Sequence, residues 1–158
     1  MIKKTLAALI LLAISNLALA QATCTRDELK AATAAYIAAQ EAGDISGLAL
    51  AADAVYLENM QPTTREAGLW NTALPIAHSK SFHDSTRCKT FSEVIVTEGD
   101  HQYVIGTRLY MDNGEVTRVD SLVTDEGDWL FNANAYLTYS TMEDWSAPSP
   151  LQRSTEAE

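Results

Sequence analysis

Positive charge is scarce in this sequence. Only 11 Lys and Arg stand against 21 Asp and Glu in 158 residues, a formal net charge of −10. Nucleic acid and anionic lipid surfaces are held by clustered cationic contacts, and these scattered residues supply no cluster, so neither is expected as a partner. Beyond the first twenty residues no apolar run approaches the ~20 residues that a membrane-spanning helix needs, so no membrane contact is expected of the mature form. Cysteine is limited to Cys24 and Cys88, neither in a CxxC motif nor beside a histidine. His78, His83 and His101 lie five and eighteen residues apart, unlike the close pairs of a zinc site, and no metal is expected. A nucleophile elbow, a phosphate-binding loop and a dinucleotide fingerprint are all missing, so no cofactor is expected either.

The chain opens with a secretory signal pattern over residues 1–20: Lys3 and Lys4, an apolar stretch from Leu6 to Leu19, and the small-x-small sequence Ala18-Leu19-Ala20. Its removal takes away two lysines and leaves 138 residues with a charge of −12. That is enough for one domain, expected over 21–145, followed by a polar tail over 146–158, and the location implied is secreted or periplasmic. In an oxidising compartment Cys24 and Cys88 have one intramolecular pairing available and read as a disulfide; the alternative is a reactive or metal-binding thiol. Such a bridge is worth roughly 4 kcal/mol in the chain-entropy view.

Local patterns then give elements. Thr25-Arg26-Asp27-Glu28 has capping-box form, and Leu29, Thr33, Tyr36, Ile37 and Gln40 recur at helical spacing among alanines until Gly43. Asp44 is expected to cap a second, shorter helix through Leu48 and Ala52, followed by a strand at Val55–Glu58. Residues 60–76 read as a loop with one helical turn, with Pro62 and Pro75 on either side of Gly68-Leu69-Trp70. Strands are expected at Thr90–Thr97, Gln102–Met111 and Glu115–Thr124, joined by Gly99-Asp100 and Asn113-Gly114 turns, with a last one at Trp129–Tyr139. Helices followed by an antiparallel meander indicate an α+β fold.

With Asn113-Gly114 as a two-residue turn, strict alternation sets Met111 opposite Val116, Leu109 opposite Arg118, Thr107 opposite Asp120 and Ile105 opposite Leu122. One face then has a polar centre of Ser92, Thr107, Arg118 and Asp120 ringed by Val94, Val96, Ile105, Leu109 and Leu122. That pattern reads as a pocket floor, or else as a solvated ion pair on an exposed strand. The other face, with Phe91, Glu93, Ile95, Val104, Arg108, Tyr110, Val119 and Val123, is half apolar and suits a homodimer contact. His83 and Asp84 are adjacent and point to opposite faces.

The succession Cys24-x-Arg26, Tyr56-Leu57-Glu58-Asn59, Gly68-Leu69-Trp70-Asn71-Thr72, Asp84, Cys88 and Tyr103-Val104-Ile105-Gly106-Thr107-Arg108-Leu109 resembles a secreted SnoaL-like group of the nuclear transport factor 2-like superfamily. This group carries Glu-Asn and Gly-Leu-Trp motifs. The chain departs from its usual text at Leu57, where Thr is usual, and at Met60, where Gly is usual. The resemblance implies a cone-shaped curved antiparallel sheet wrapped around N-terminal helices, with a deep cavity that serves acid-base chemistry in some relatives and binding or dimerisation in others. It carries over to Glu58, Asn59, Leu69, Trp70 and Asp84.

Together these readings lead to a cofactor-independent lyase, dehydratase or isomerase for a small, partly apolar organic molecule. Glu58 or Asp120 is the candidate base and Asp84 the second acid. Tyr56 and Trp70 form walls, and Asn59, Thr107 and Arg118 bind the substrate. Two alternatives stand beside it: a non-catalytic ligand-binding or dimerisation module of the cell envelope, and an extracellular lyase acting on a sugar derivative. The residues also allow plainer roles, Trp70 as a lid over the core and Glu58 as a loop hydrogen-bond acceptor.

Overall fold

Thr25 starts the first helix through the expected reciprocal cap. Its Oγ1 accepts from Glu28 N at 3.2 Å, and the Glu28 carboxylate accepts from Thr25 N at 2.7 Å. The computed structural model describes residues 24–147 and 149–152, so the signal pattern and most of the polar tail lie outside the described residues. Helix α1 spans Arg26–Ala42 and buries Leu29, Ala32, Thr33, Tyr36, Ala39 and Gln40, so its alanines bring it close to the sheet. Gly43 ends it in the left-handed region at φ 64°, where a Cβ would also strike the backbone of Thr72 and Ala73.

Asp44 caps only a single 3₁₀ turn, Ile45–Gly47, in place of the expected second helix. The chain enters β1, Leu50–Glu58, at once, because Leu50 already pairs with Val116 and the sheet ladder takes up the backbone groups a helix would have satisfied. Strand β2, Gln61–Thr63, folds back on β1, and the remaining strands are β3 (Ile76–Asp84), β4 (Lys89–Val96), β5 (Tyr103–Asp112) and β6 (Glu115–Thr124). Their spatial order is β2-β1-β6-β5-β4-β3. The sheet is mixed and not antiparallel throughout, since β1 runs parallel to β6. Strand β3 was not expected from the sequence; its mixed polar text, with His78, Lys80, Ser81 and His83, hides a strand at the sheet edge.

Strict alternation fails at one residue. Met111 pairs with Val116 as expected, but Tyr110 then pairs with Arg118, so Thr117 is an extra residue, its hydroxyl donating to Tyr110 O at 3.2 Å. This bulge shifts every later pairing by one: Leu109 faces Val119, Thr107 faces Ser121, Arg108 faces Asp120 and Gly106 faces Leu122. A one-residue slip exchanges the faces of a strand. Arg118, Asp120 and Leu122 therefore lie on the outer side of the sheet, away from α1, while Val119, Ser121 and Val123 join the inner side. The expected opposition of Thr107 to Asp120 is corrected accordingly.

The expected last strand at Trp129–Tyr139 is instead helix α2, Ala133–Met142, capped by Asn132, whose Oδ1 accepts from Ala135 N at 2.9 Å. Strand β6 is flanked by β1 and β5, so a following strand would find no free edge there, whereas a helix satisfies its own backbone. Helix α2 crosses β4 on the outer side, where Tyr136 and Ser140 bond to Glu93 at 2.7 and 3.2 Å. This is why Ile95 is fully buried although it points outward. Beyond α2, Trp145 returns to β3, edge-on to Phe82 at 4.9 Å between ring centres and beneath Lys80 Nζ at 4.3 Å. Of the residues expected to form a dimer face, Val119 and Val123 are thus inward and Glu93 and Ile95 lie under α2, leaving Phe91, Val104, Arg108 and Tyr110. The main core lies between α1 and the inner face, where Leu29, Tyr36, Val94, Val96, Ile105, Leu109 and Val116 are buried together.

Candidate functional site

On the inner side the expected cavity wall is packed. Tyr56 stacks on Trp70 with ring centres 4.0 Å apart, and both are buried. Trp70 Nε1 donates to Arg65 O at 2.8 Å, which fixes the ring within its own loop. The carboxylate of Glu58 accepts from Tyr56 Oη at 2.5 Å and from Leu69 N at 2.8 Å, so it ties the Gly68-Leu69-Trp70 turn to β1. Deeper in, Tyr36 Oη bonds to Thr107 Oγ1 at 2.6 Å and Thr107 to Ser121 Oγ at 2.8 Å. Burial pushes the Tyr36 hydroxyl up to about 12 and raises that of Tyr56 too, with the Glu58 carboxylate adding to the effect on both. Both phenols thus stay protonated, and Tyr56 donates to Glu58.

Asn59 sits in the β1–β2 turn at φ 50°; its N–H donates to Ser121 O and its Oδ1 accepts from Val123 N, each at 2.8 Å. Asp84 stands at the far end of β3, accepting from Arg87 N and Arg87 Nη1 at 3.0 Å, and meets neither Glu58 nor Asp120. That ion pair holds its carboxyl below the usual range. The disulfide forms as expected between Cys24 and Cys88, with Cα atoms 5.2 Å apart, and clamps the start of α1 to the turn before β4. His83 Nε2 lies 3.1 Å from Thr33 Oγ1 and His101 Nε2 lies 3.0 Å from Asp125, so these rings are spread over separate parts of the fold. Among the described residues no group of three His, Cys, Asp or Glu is arranged around a common point for a metal.

The outer side carries an open groove of about 440 Å³ lined by Leu57, Met60, Phe91, Gly106, Arg108, Arg118, Asp120 and Leu122. Arg118 Nε donates to Asp120 Oδ1 at 2.6 Å, and this half-exposed pair lies along one strand. Arg108 stands directly across from Asp120 yet meets only Tyr110 Oη, at 3.3 Å. The groove therefore gathers Arg118 and Asp120, which the sequence nominated, with Arg108, Phe91 and Met60, which it did not. Arg108 sat on the expected opposite face; only the bulge at Thr117 brings it beside Asp120. Tyr56, Glu58, Trp70 and Thr107 belong to the inner side, so the nominated residues divide between two faces.

No family model matches the chain, and no curated protein matches it by sequence. Several solved structures do align. A candidate ketosteroid isomerase of Kribbella flavida is 18% identical with a TM-score of 0.46, over 80% of this chain and 95% of that one. An NTF-2 like protein of unknown function from Burkholderia xenovorans is 15% identical with a TM-score of 0.48, over 72% and 92%. AclR, a candidate hydroxylase of Streptomyces galilaeus, is 16% identical with a TM-score of 0.45, over 63% and 91%. Each likeness is one of fold alone and assigns no chemistry to either face.

Proposed function

We propose that this protein is an exported small-molecule-binding module that holds a small, partly apolar organic compound in the groove on the outer side of its sheet and does not transform it. The observation that carries this reading is the filled inner side: Tyr56, Trp70 and Tyr36 are each 5% exposed or less, and Glu58 is occupied as a hydrogen-bond acceptor within the fold. A competent base must face its substrate; both bonds to Glu58 fall on Oε2, and the buried Tyr56–Trp70 stack packs beside it. The outer groove, by contrast, is open, of ligand size, and combines apolar walls with a few polar groups, the usual composition of a binding site. A homodimer through the same face would compete for Phe91 and Arg108.

A second reading, lyase, dehydratase or isomerase, draws support from the linked hydroxyls of Tyr36, Thr107 and Ser121 beside Tyr56 and Glu58. Two protonated phenols would stabilise an oxyanion and Glu58 would take the proton, once the turn at 68–71 swung off β1. One experiment separates the readings. Crystals soaked with metabolite mixtures are expected to hold a ligand against Phe91 and Leu122; a ligand between Tyr36 and Glu58, with Trp70 displaced, would overturn the binding-module reading in favour of the enzyme.

A further inference from the structure

Lys89, Arg108 and Arg118 converge around one ring on a protein whose net charge is −10. Lys89 Nζ lies 4.7 Å and Arg118 Cζ 5.2 Å from the centre of the Tyr110 ring, and Arg108 Nη1 donates to the Tyr110 hydroxyl at 3.3 Å. Cross-strand pairing makes the cluster compact: Lys89 is opposite Tyr110, Tyr110 opposite Arg118, and Arg108 opposite Asp120. The carboxylates beside these cations are already engaged, Asp120 by Arg118 at 2.6 Å and Asp84, across from Lys89, by Arg87 at 3.0 Å. A guanidinium has five N–H donors, and Arg108 uses one of them on a neutral phenol in a long bond. These cations make a local positive site on an acidic surface, and Arg108, which forms no ion pair, borders the groove.

The groove walls specify the rest of the ligand. Phe91 lies beside Arg108, and the strand floor between Phe91 and Leu122 is Gly106, where a Cβ would come within 3.2 and 3.3 Å of the Phe91 ring. The absence of a side chain at 106 lets the Phe91 ring lie against the strand, and the groove beside it is bordered by Leu57 and Met60. We propose that this groove binds an amphipathic monocarboxylate, its carboxylate on Arg108 and its aromatic or short aliphatic body against the side chains of Phe91 and Leu122. This rests on the reading that the outer groove is the binding site. A phosphomonoester would require Arg108 and Arg118 together, and Asp120 both holds Arg118 and repels a second negative charge. The volume of about 440 Å³ suits a compound of roughly the size of a bicyclic aromatic acid.

The test uses 2-naphthoate and its uncharged analogue 2-naphthamide, titrated by ligand-observed NMR into the disulfide-bonded mature protein and into Arg108→Gln, Asp120→Asn and Trp70→Phe variants of matched thermal stability. The acid is expected to bind at least tenfold more tightly than the amide. Arg108→Gln should remove that difference, Asp120→Asn should strengthen acid binding several-fold by releasing Arg118, and Trp70→Phe should change nothing. Equal binding of acid and amide, or an Arg108→Gln variant that binds the acid normally, overturns the carboxylate proposal while the outer-groove reading stands. Binding lost in Trp70→Phe and kept in Arg108→Gln puts the ligand on the inner side of the sheet and overturns both. A wild-type protein that binds neither probe and sediments as a dimer dissociated by Arg108→Glu makes the face a contact between copies and likewise overturns the proposal, as does a monomer that binds neither.

Discussion

The ring of Tyr56 occupies the space into which a Cβ at Gly68 would project, so the glycine is the condition for stacking Tyr56 on Trp70. The Gly-Leu-Trp and Tyr-Leu-Glu-Asn segments therefore interlock: Gly68 admits the tyrosine, Tyr56 and Leu69 N bond to Glu58, and Trp70 closes the stack. Overpacking a site of this kind costs about 1–3 kcal/mol or more. Gly68→Ala is expected to destabilise by at least that, and Glu58→Ala by about 2 kcal/mol through loss of two hydrogen bonds to a charged acceptor. Urea unfolding of both variants checks this; a Glu58→Ala protein as stable as the wild type would dissolve the latch.

The disulfide spans 64 residues of chain, and opening it returns loop entropy to the unfolded state. Cys88→Ser should lower stability by about 4 kcal/mol. Denatured, unreduced wild-type protein should yield no thiol on titration, and two thiols in material from an oxidising compartment would contradict the bridge.

The C-terminal strap should be sensitive to acid. Glu143 accepts from Lys80 Nζ at 2.5 Å and from Trp145 Nε1 at 2.9 Å, and its carboxyl is held below its ordinary value of 4.5 chiefly by Lys80 and then by Trp145. A depressed carboxylate contributes stability that is fully present above the unfolded value and is lost as the pH falls through the folded one. Trp145 fluorescence, taken as the difference from Trp145→Phe, should be constant above pH 5 and change below about pH 4.5. A Lys80→Met variant should show the released signal already at neutral pH. A flat profile down to global unfolding would show that the ion pair does not hold the strap.

Met60 occupies a left-handed turn position at φ 65° and is 78% exposed. A side chain there costs about 1–2 kcal/mol that glycine avoids, offset in part by glycine's greater unfolded-state freedom. Met60→Gly should therefore raise stability by about 0.5–1 kcal/mol and, because Met60 lines the outer groove, weaken binding of an apolar ligand there. Paired chemical denaturation and probe titration check both signs; a less stable Met60→Gly protein would mean that the methionine packs usefully.

Short-range chemistry made much of the architecture legible. The capping box at Thr25, the glycine stop at Gly43, the Asn113-Gly114 turn and the strand pattern of residues 90–124 depend on neighbours a few residues away, and the structure reproduces them. The single possible cysteine pairing was legible for the same reason of arithmetic. Three decisions required the assembled sheet. Residues 129–139 alternate well enough for a strand, but both sides of β6 were already taken, so the segment became a helix over β4. The text of β3 has no strand periodicity of its own and is ordered by pairing with β4. The bulge at Thr117 carries no turn residue to announce it, yet it moved Arg118 and Asp120 from the inner to the outer side and set them beside Arg108. Side-chain direction in a strand has a period of two, so one uncounted residue reverses a whole face, and composition or spacing has no means of detecting it. The identity of the polar residues was thus written in the chain, while the face on which they meet was decided by how β5 and β6 came into register.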